Sequence, residues 1–376
     1  MAKTSAGKRK PAASESPRQA LSAGDPAARI AQIDSQLLAL VQERAQLVLA
    51  GVHGAGTEAD VVFATGLDEQ PVGRLLQGSR GPLPRRCLRA VFREILSGCL
   101  SLVRPTRVAF LGPLYSYSHL AAIHRFGQSV DFVPVGTIAA VFEEVHRGHS
   151  DFGLVPVENS TDGRIADTLD MFTRLPVRIS GEVEIEIHHA LLGKCPRHEI
   201  QEIYSRPQAL GQCRNWLAKH LPAARTIEVT STSTAAQLAA EKPGAAAIAS
   251  LQAGVEYGLA VLAENIEDNP GNTTRFAQVG GPLPEPTGND RTAILFQVDH
   301  RPGTLAEAMN IFKRHKLNLT WIESFPVPAS KRTYLFFAEM EAHQTDGRFR
   351  RAIAMLRRKT VRLEILGSFP ATTTVE

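Results

Sequence analysis

Cysteine is scarce in this chain. The four residues Cys87, Cys99, Cys195 and Cys213 form no C-x-x-C pair, which excludes a disulfide framework and a thiolate zinc site. Aromatic residues make up only 6% of the sequence and interleave with no basic stretch, so no nucleic-acid partner is expected. No apolar run reaches the roughly 18 residues of a membrane span, and no apolar segment of a secretory signal opens the sequence. A cytoplasmic protein away from the membrane is therefore expected. Neither charge sign dominates: the net charge is +4, part of it in "GKRKPAASESPR". A Gly-x-Gly-x-x-Gly loop after a strand and a Walker loop are both missing, which removes the common nucleotide-binding readings. No cofactor and no metal are expected.

What is present suits a soluble chain of several domains. Hydrophobic residues are 43% and charged residues 21% of 376 positions, a globular composition at a length of two or three domains. Residues 1–25, rich in Lys, Ser, Ala and Pro, read as a disordered tail. In 26–103 the apolar positions Ile30, Ile33, Leu37, Leu40, Val41 and Val48 recur at helical spacing, and a second helix is expected over 85–102. Two or three helices bury little core alone, so this segment must pack on itself, a partner or the next domain. From 105 to 283 short apolar strands such as "RVAFLG", "VDFVPV" and "DFGLVPVE" alternate with helical segments, which predicts an α/β domain with a mainly parallel sheet. A Gly/Pro linker, "GPLPEPTGND", leads into 290–368. There the order is β-α-β-β-α-β, the ferredoxin-like arrangement of an α+β domain.

Chemistry is expected where the strands of an open α/β sheet end. Five polar segments follow or lead into apolar runs: "GPLYSYSH", "ENSTDGR", "SRPQALGQC", "TSTSTAA" and "GNTTRF". Taken singly, each reads as a helix cap or turn. Taken together, they line one cleft with hydroxyl, amide and guanidinium donors. Such a cleft suits a small, anionic, oxygen-rich ligand.

These segments carry a resemblance. "FLGPLYSYSHLAA", "VPVENSTDGRIADTLDMF", "YSRPQALGQC" and "AENIEDNPGNTTRF" resemble, in order, the signature blocks of prephenate dehydratases over about 105–283. The segment from 290, with "RPGTL" and "ESFP", is similar to an ACT regulatory domain, and 26–103 to an AroQ-type chorismate mutase. The resemblance implies a two-lobed catalytic domain like a periplasmic binding protein, with lobe 1 at about 105–180 and 265–283 and lobe 2 at about 181–264. It implies prephenate as substrate, converted to phenylpyruvate, water and CO2. Phenylalanine is the implied effector and a homodimer or homotetramer the implied assembly. Arogenate as substrate, or a regulatory module that binds without turnover, stays open. The catalytic residues implied are Thr274, Asn159, Gln212 and Ser205. Ser116, Ser118, Glu158, Ser160, Thr161, Arg206, Arg275 and Phe276 would bind substrate. Pro302, Gly303, Thr304, Leu305, Glu323, Ser324, Phe325 and Pro326 would bind phenylalanine.

The sequence also departs from the family pattern. Leu114 and Tyr115 stand where the first loop usually has a glycine, and Arg206 replaces a histidine. Phe325 replaces the arginine of Glu-Ser-Arg-Pro. In the mutase-like segment Arg44 matches one expected cation, but the earlier arginine falls at Ala27, with Arg29 two residues on, and "GVHGAGTEADVVFATGLDEQPVG" has no cation until Arg74. A weak or absent mutase activity is expected.

Overall fold

A computed structural model describes residues 26–54, 72–73, 75–76, 78–326 and 334–371. The expected tail over 1–25, the cation-poor stretch from 55 to 71 and Arg74 lie outside the described residues. Two helices open the chain, α1 (Pro26–Gly54) and α2 (Arg85–Val103). They meet where Val48 packs on Cys99, Ala45, Ile95 and Val103, while Ile30, Ile33, Leu37 and Leu40 of the apolar stripe stay exposed. Pro84 precedes α2, whose last turn ends before Pro105; a proline disfavours helical backbone in the residue before it. Polar contacts tie α2 to the next unit: Arg93 Nη1 donates to the His124 carbonyl at 3.1 Å and the Gln128 amide to Glu94 Oε2 at 2.9 Å.

The first sheet contains β1 (Arg107–Leu111), β2 (Asp131–Val135), β3 (Phe152–Asn159), the short β4 (Gly163–Arg164), β5 (Ile179–Glu186) and β11 (Thr273–Gly280), in the order β2-β1-β3-β11-β5. The helices α3 (Tyr117–Phe126), α4 (Ile138–His146) and α5 (Ala166–Arg174) connect its strands. The second sheet has the order β10-β6-β9-β7-β8, from β6 (Ala190–Gly193), β7 (Glu202–Ser205), β8 (Arg225–Glu228), β9 (Ala245–Ala249) and β10 (Ala260–Ala263). Its helices are α6 (Pro207–Gln212), α7 (Arg214–His220), α8 (Thr232–Glu241) and α9 (Leu251–Glu256). Both sheets are mixed rather than mainly parallel. β1 pairs in parallel with β2 and β3, but β11 lies antiparallel between β3 and β5. The reason is that β11 returns from the second sheet instead of through a crossover helix. The chain also leaves the first sheet after Glu186 rather than near 181. The two crossing segments run side by side, with the Ile187 amide donating to the Asn272 carbonyl at 2.8 Å and the Ile266 amide to the His189 carbonyl at 3.0 Å.

The last unit is β12 (Asp290–Gln297), α10 (Thr304–Arg314), β13 (Leu319–Pro326), β14 (Tyr334–Glu341), α11 (Gly347–Arg357) and β15 (Arg362–Pro370), an antiparallel sheet in the order β13-β14-β12-β15. Strand alternation sorts its core. Ile294 and Phe296 face α10 and α11, with Ile311, Phe312 and Phe349. Ala293 and Leu295 face the first sheet and share one core with Leu169, Phe172, Val279 and Phe337. The first sheet and the C-terminal unit are thus packed as one body. No described helix is long and apolar enough to cross a membrane.

Candidate active site

Asn159 ends β3 and Thr274 lies next to the start of β11; the pair are register partners across the ladder. Asn159 Nδ2 donates to Thr274 Oγ1 at 2.8 Å. The side-chain oxygen of Asn159, Oδ1, accepts the backbone amides of Thr161 and Asp162 at 2.9 and 3.0 Å. Those two amides fix which way the Asn159 side chain points, since an amide flip would set donor against donor. Thr274 Oγ1 therefore receives a hydrogen bond and keeps its own proton to give. Ser160 and Thr161 join through Asn272: Thr161 Oγ1 donates to Asn272 Oδ1 at 3.2 Å and Ser160 Oγ to the same oxygen at 3.4 Å.

The second lobe reaches this cluster through Gln212, at the end of α6. Asn272 Nδ2 donates to Gln212 Oε1 at 3.1 Å, and His189 Nε2 lies 2.9 Å from the same oxygen. With Oε1 placed to accept from Asn272, Nε2 is the His189 nitrogen set to donate there. Tyr117, at the start of α3, has its hydroxyl 2.6 Å from the His188 carbonyl and 3.0 Å from His189 Nδ1. Burial holds His189 below its ordinary value, which favours the neutral ring. Next to it, Glu267 accepts the His189 amide at 2.9 Å and pairs with His188 Nδ1 at 2.8 Å. The hydrogen bond that His188 donates to Glu267 raises the pKa of His188. Asn159 Nδ2 also donates to Asn272 Oδ1 at 3.0 Å, so a polar path runs from Tyr117 through His189, Gln212, Asn272 and Asn159 to Thr274, touching both segments that join the lobes.

Of the residues expected from sequence, Asn159, Ser160, Thr161, Gln212 and Thr274 come together here. Others do not. Ser205 is fully buried and donates to the Ile248 carbonyl at 2.7 Å, so its hydroxyl is engaged inside the second lobe. Ser116 caps α3 and donates to the Leu111 carbonyl at 3.2 Å, while Ser118 is buried in the first turn of α3. Arg206 is exposed ahead of α6. Glu158 and Arg275 each follow or precede a site residue by one position, so the pleat turns them to the opposite face. There they pair with each other at 3.2 Å. Phe276 is core, packed with Phe110, Phe126 and Val183. Asn272, His189 and Tyr117 were missed. Asn272 stands inside the quoted "GNTTRF", and His189 inside "IHHALLG", where its apolar neighbours disguised it.

The departures at the first loop have a structural outcome. Tyr115 has φ 62°, a left-handed conformation that favours glycine. Its ring does not enter the Thr274 cluster. It packs against Tyr257 and the core of the second lobe, and Ser233 Oγ donates to the Leu114 carbonyl at 2.7 Å. The loop bridges the lobes.

Of the expected effector residues, Pro302 and Thr304 line a cleft of about 440 Å³ with Arg301, Arg358 and Lys359. Gly303 takes φ 87° just ahead of α10, and Leu305 follows in its first turn. Glu323 and Ser324 lie elsewhere, where Arg164 Nη1 donates to Glu323 Oε2 at 2.9 Å and to the Ser324 carbonyl at 2.8 Å. Phe325 packs on the core shared with the first sheet, and Pro326 ends β13.

Residues 108–282 match the family model described as prephenate dehydratase. A bifunctional chorismate mutase/prephenate dehydratase of Aquifex aeolicus is 39% identical over 91% of this chain and 96% of its own length. Among solved structures, a prephenate dehydratase of Arthrobacter aurescens, in complex with L-Phe, is 32% identical, with a TM-score of 0.67, over 71% of this chain and 90% of its own. A quorum-quenching acylase shares the fold at 28% identity and a TM-score of 0.65, over 71% of this chain and 98% of its own, which shows that the fold alone does not fix the chemistry. The chain belongs to the prephenate dehydratase family, in the layout of its bifunctional chorismate mutase/prephenate dehydratase members.

Proposed function

We propose that the Thr274 hydroxyl is the proton donor of a prephenate dehydratase and that Asn159 makes it one. Prephenate loses its ring hydroxyl and one carboxylate together. One proton enters, and water, CO2 and phenylpyruvate leave. The new aromatic ring supplies the driving force, so the site has to orient a dianion and protonate the departing oxygen. A threonine hydroxyl is a poor free acid. It serves when proton transfer accompanies C–O cleavage and a donor already faces its oxygen. The Asn159 amide is that donor, and it strengthens its bond as charge grows on Oγ1. The observation that carries this reading is the direction of the 2.8 Å bond. Incubation of the purified chain with prephenate, and separately with arogenate, tests it. Phenylpyruvate from prephenate supports the reading, and turnover of arogenate alone would replace the substrate.

The C-terminal unit is read as an ACT domain that binds phenylalanine and lowers turnover. Its β-α-β-β-α-β order and the glycine turn before α10 support this, as does the L-Phe held by the Arthrobacter relative. The amides opening α10 suit the ligand's carboxylate. Glu323 and Ser324 do not line the cleft at Pro302 and Thr304. In this reading they complete it from a second copy set side by side, which makes the enzyme at least a dimer. Calorimetric titration with phenylalanine, with tyrosine as control, tests this. No heat change and no shift in turnover would leave the unit as an association element. The domain bounds follow the same reading: helical segment 26–103, catalytic domain 105–283, ACT domain 290–368.

A further inference from the structure

On the face of β11 opposite Thr274, one guanidinium meets three carboxylates from three strands. Arg275 Nη1 donates to Glu182 Oε2 of β5 at 3.1 Å and to Glu339 Oε2 of β14 at 2.7 Å, and Nη2 donates to Glu158 Oε2 of β3 at 3.2 Å. The Arg275 guanidinium lies 4.8 Å over the Trp321 ring. Arg291 of β12 shares Glu182 at 3.2 Å. The Arg275 side chain is 11% exposed, and those of Glu182 and Glu339 2% and 3%. Charges this buried hold their geometry, because shifting one leaves the others uncompensated.

Two of the three carboxylates belong to the catalytic sheet. Glu339 does not: it comes from the C-terminal unit and makes the shortest of the three bonds. Its target precedes a register shift in the β3–β11 ladder, between Arg275 and Phe276. A bulge re-aims the side chains beside it, and Thr274 is the residue on the other side of Arg275. Asn159 is likewise coupled, since Glu158 is its chain neighbour and Arg275's ladder partner. The two catalytic groups therefore stand one residue away, on each strand, from the two ends of a single ion pair. Glu339 clamps that pair from outside the lobe.

We propose that Glu339 is a positioning residue for the dehydration, acting through Arg275 on the placement of Thr274 against Asn159. The inference rests on the dehydratase reading above. It differs from a plain interdomain joint in what it predicts. Loss of a joint lowers the amount of folded enzyme, whereas loss of aim lowers kcat in molecules that still bind substrate.

The test compares wild type, Glu339→Gln, Glu339→Asp and Glu341→Gln in the full chain with prephenate, with folded protein quantified in each sample. Glu341 is an exposed carboxylate on the same strand and serves as control. The expected result for Glu339→Gln is a kcat lower by about tenfold with KM changed by less than about twofold, the pattern of an interaction felt in the transition state. Glu339→Asp, which keeps the charge, recovers part of kcat, and Glu341→Gln matches wild type. Wild-type kcat and KM in Glu339→Gln would overturn the proposal. So would a loss explained wholly by less folded protein, or an equal loss in Glu341→Gln. A wild type that is itself silent toward prephenate would instead sink the dehydratase reading, and this inference with it.

Discussion

Asn159 donates to Thr274 across the β3–β11 ladder, and the opposite polarity is closed to it because the Thr161 and Asp162 amides occupy its side-chain oxygen Oδ1. This direction is what leaves the threonine proton for the substrate.

Asn159→Asp, nearly isosteric, should therefore be far worse than its size suggests. A carboxylate would accept the Thr274 proton and hold it away from the leaving oxygen. Turnover is expected to fall by roughly 100-fold or more, the scale of a lost proton donor or polar stabiliser. Steady-state rates on prephenate check this; a variant within a few-fold of wild type would show that the bond's direction is irrelevant.

How far the sequence leads is visible around this pair. The strands follow from short apolar runs, the first helix from apolar residues at helical spacing, and the C-terminal unit from its element order. The cluster of Asn159, Ser160, Thr161, Gln212 and Thr274 is legible through the quoted motifs. Glu158 closes a strand already legible as "DFGLVPVE", while Arg275 reads as part of a polar segment leading into one, and in neither case does the motif say which face the side chain takes. Once 273–280 is a strand, its two-residue period alone turns Arg275 away from Thr274. Tyr117, His189 and Asn272 could not be grouped from sequence, since only the crossing of the lobes brings them together. Ser205 resembles a site residue in its motif, yet its hydroxyl meets the Ile248 carbonyl, a contact set by packing.

The crossing segments should show a pH signature. Glu267 raises the pKa of His188 above its ordinary 6.5. A raised value means that this contribution to stability is fully present below 6.5 and is lost as pH rises through the folded-state value. Burial lowers His189, whose contribution has the opposite sign: it is present above 6.5 and lost as pH falls. The gap in thermal midpoint between wild type and His188→Gln isolates the first effect. It should be widest below pH 6.5 and narrow as pH rises. A gap that does not vary with pH would remove the His188–Glu267 pair from the stability of the crossing.

Gly367 sits where β15 presses on the edge of the first sheet, and an added Cβ would lie 1.9 Å from the Ile179 carbonyl oxygen. Backbone cannot yield as a flexible side chain does. Gly367→Ala should cost about 1–3 kcal/mol, the range for overpacking, and denaturant unfolding reads it directly. An unchanged midpoint would mean that the two units are not in contact there.

The helical head should convert chorismate weakly or not at all, although the Aquifex relative is named bifunctional. A rearranging dianion needs cations around its carboxylates and ether oxygen. Of the expected cluster Arg44 is in place, while Ala27 stands at the earlier arginine position and Arg29 donates to Gln32 at 2.6 Å. Chorismate consumption by the purified chain measures this. Robust formation of prephenate would overturn it.

The proposed chemistry turns on one hydroxyl. Thr274→Ala removes it, keeps the strand, and leaves the Asn159 amide beside a methyl group. Its turnover of prephenate should fall by at least roughly 100-fold, the scale for losing a positioned proton donor, with folding intact by circular dichroism. A folded Thr274→Ala enzyme that keeps most of its wild-type kcat would contradict the assignment of Thr274 as the acid.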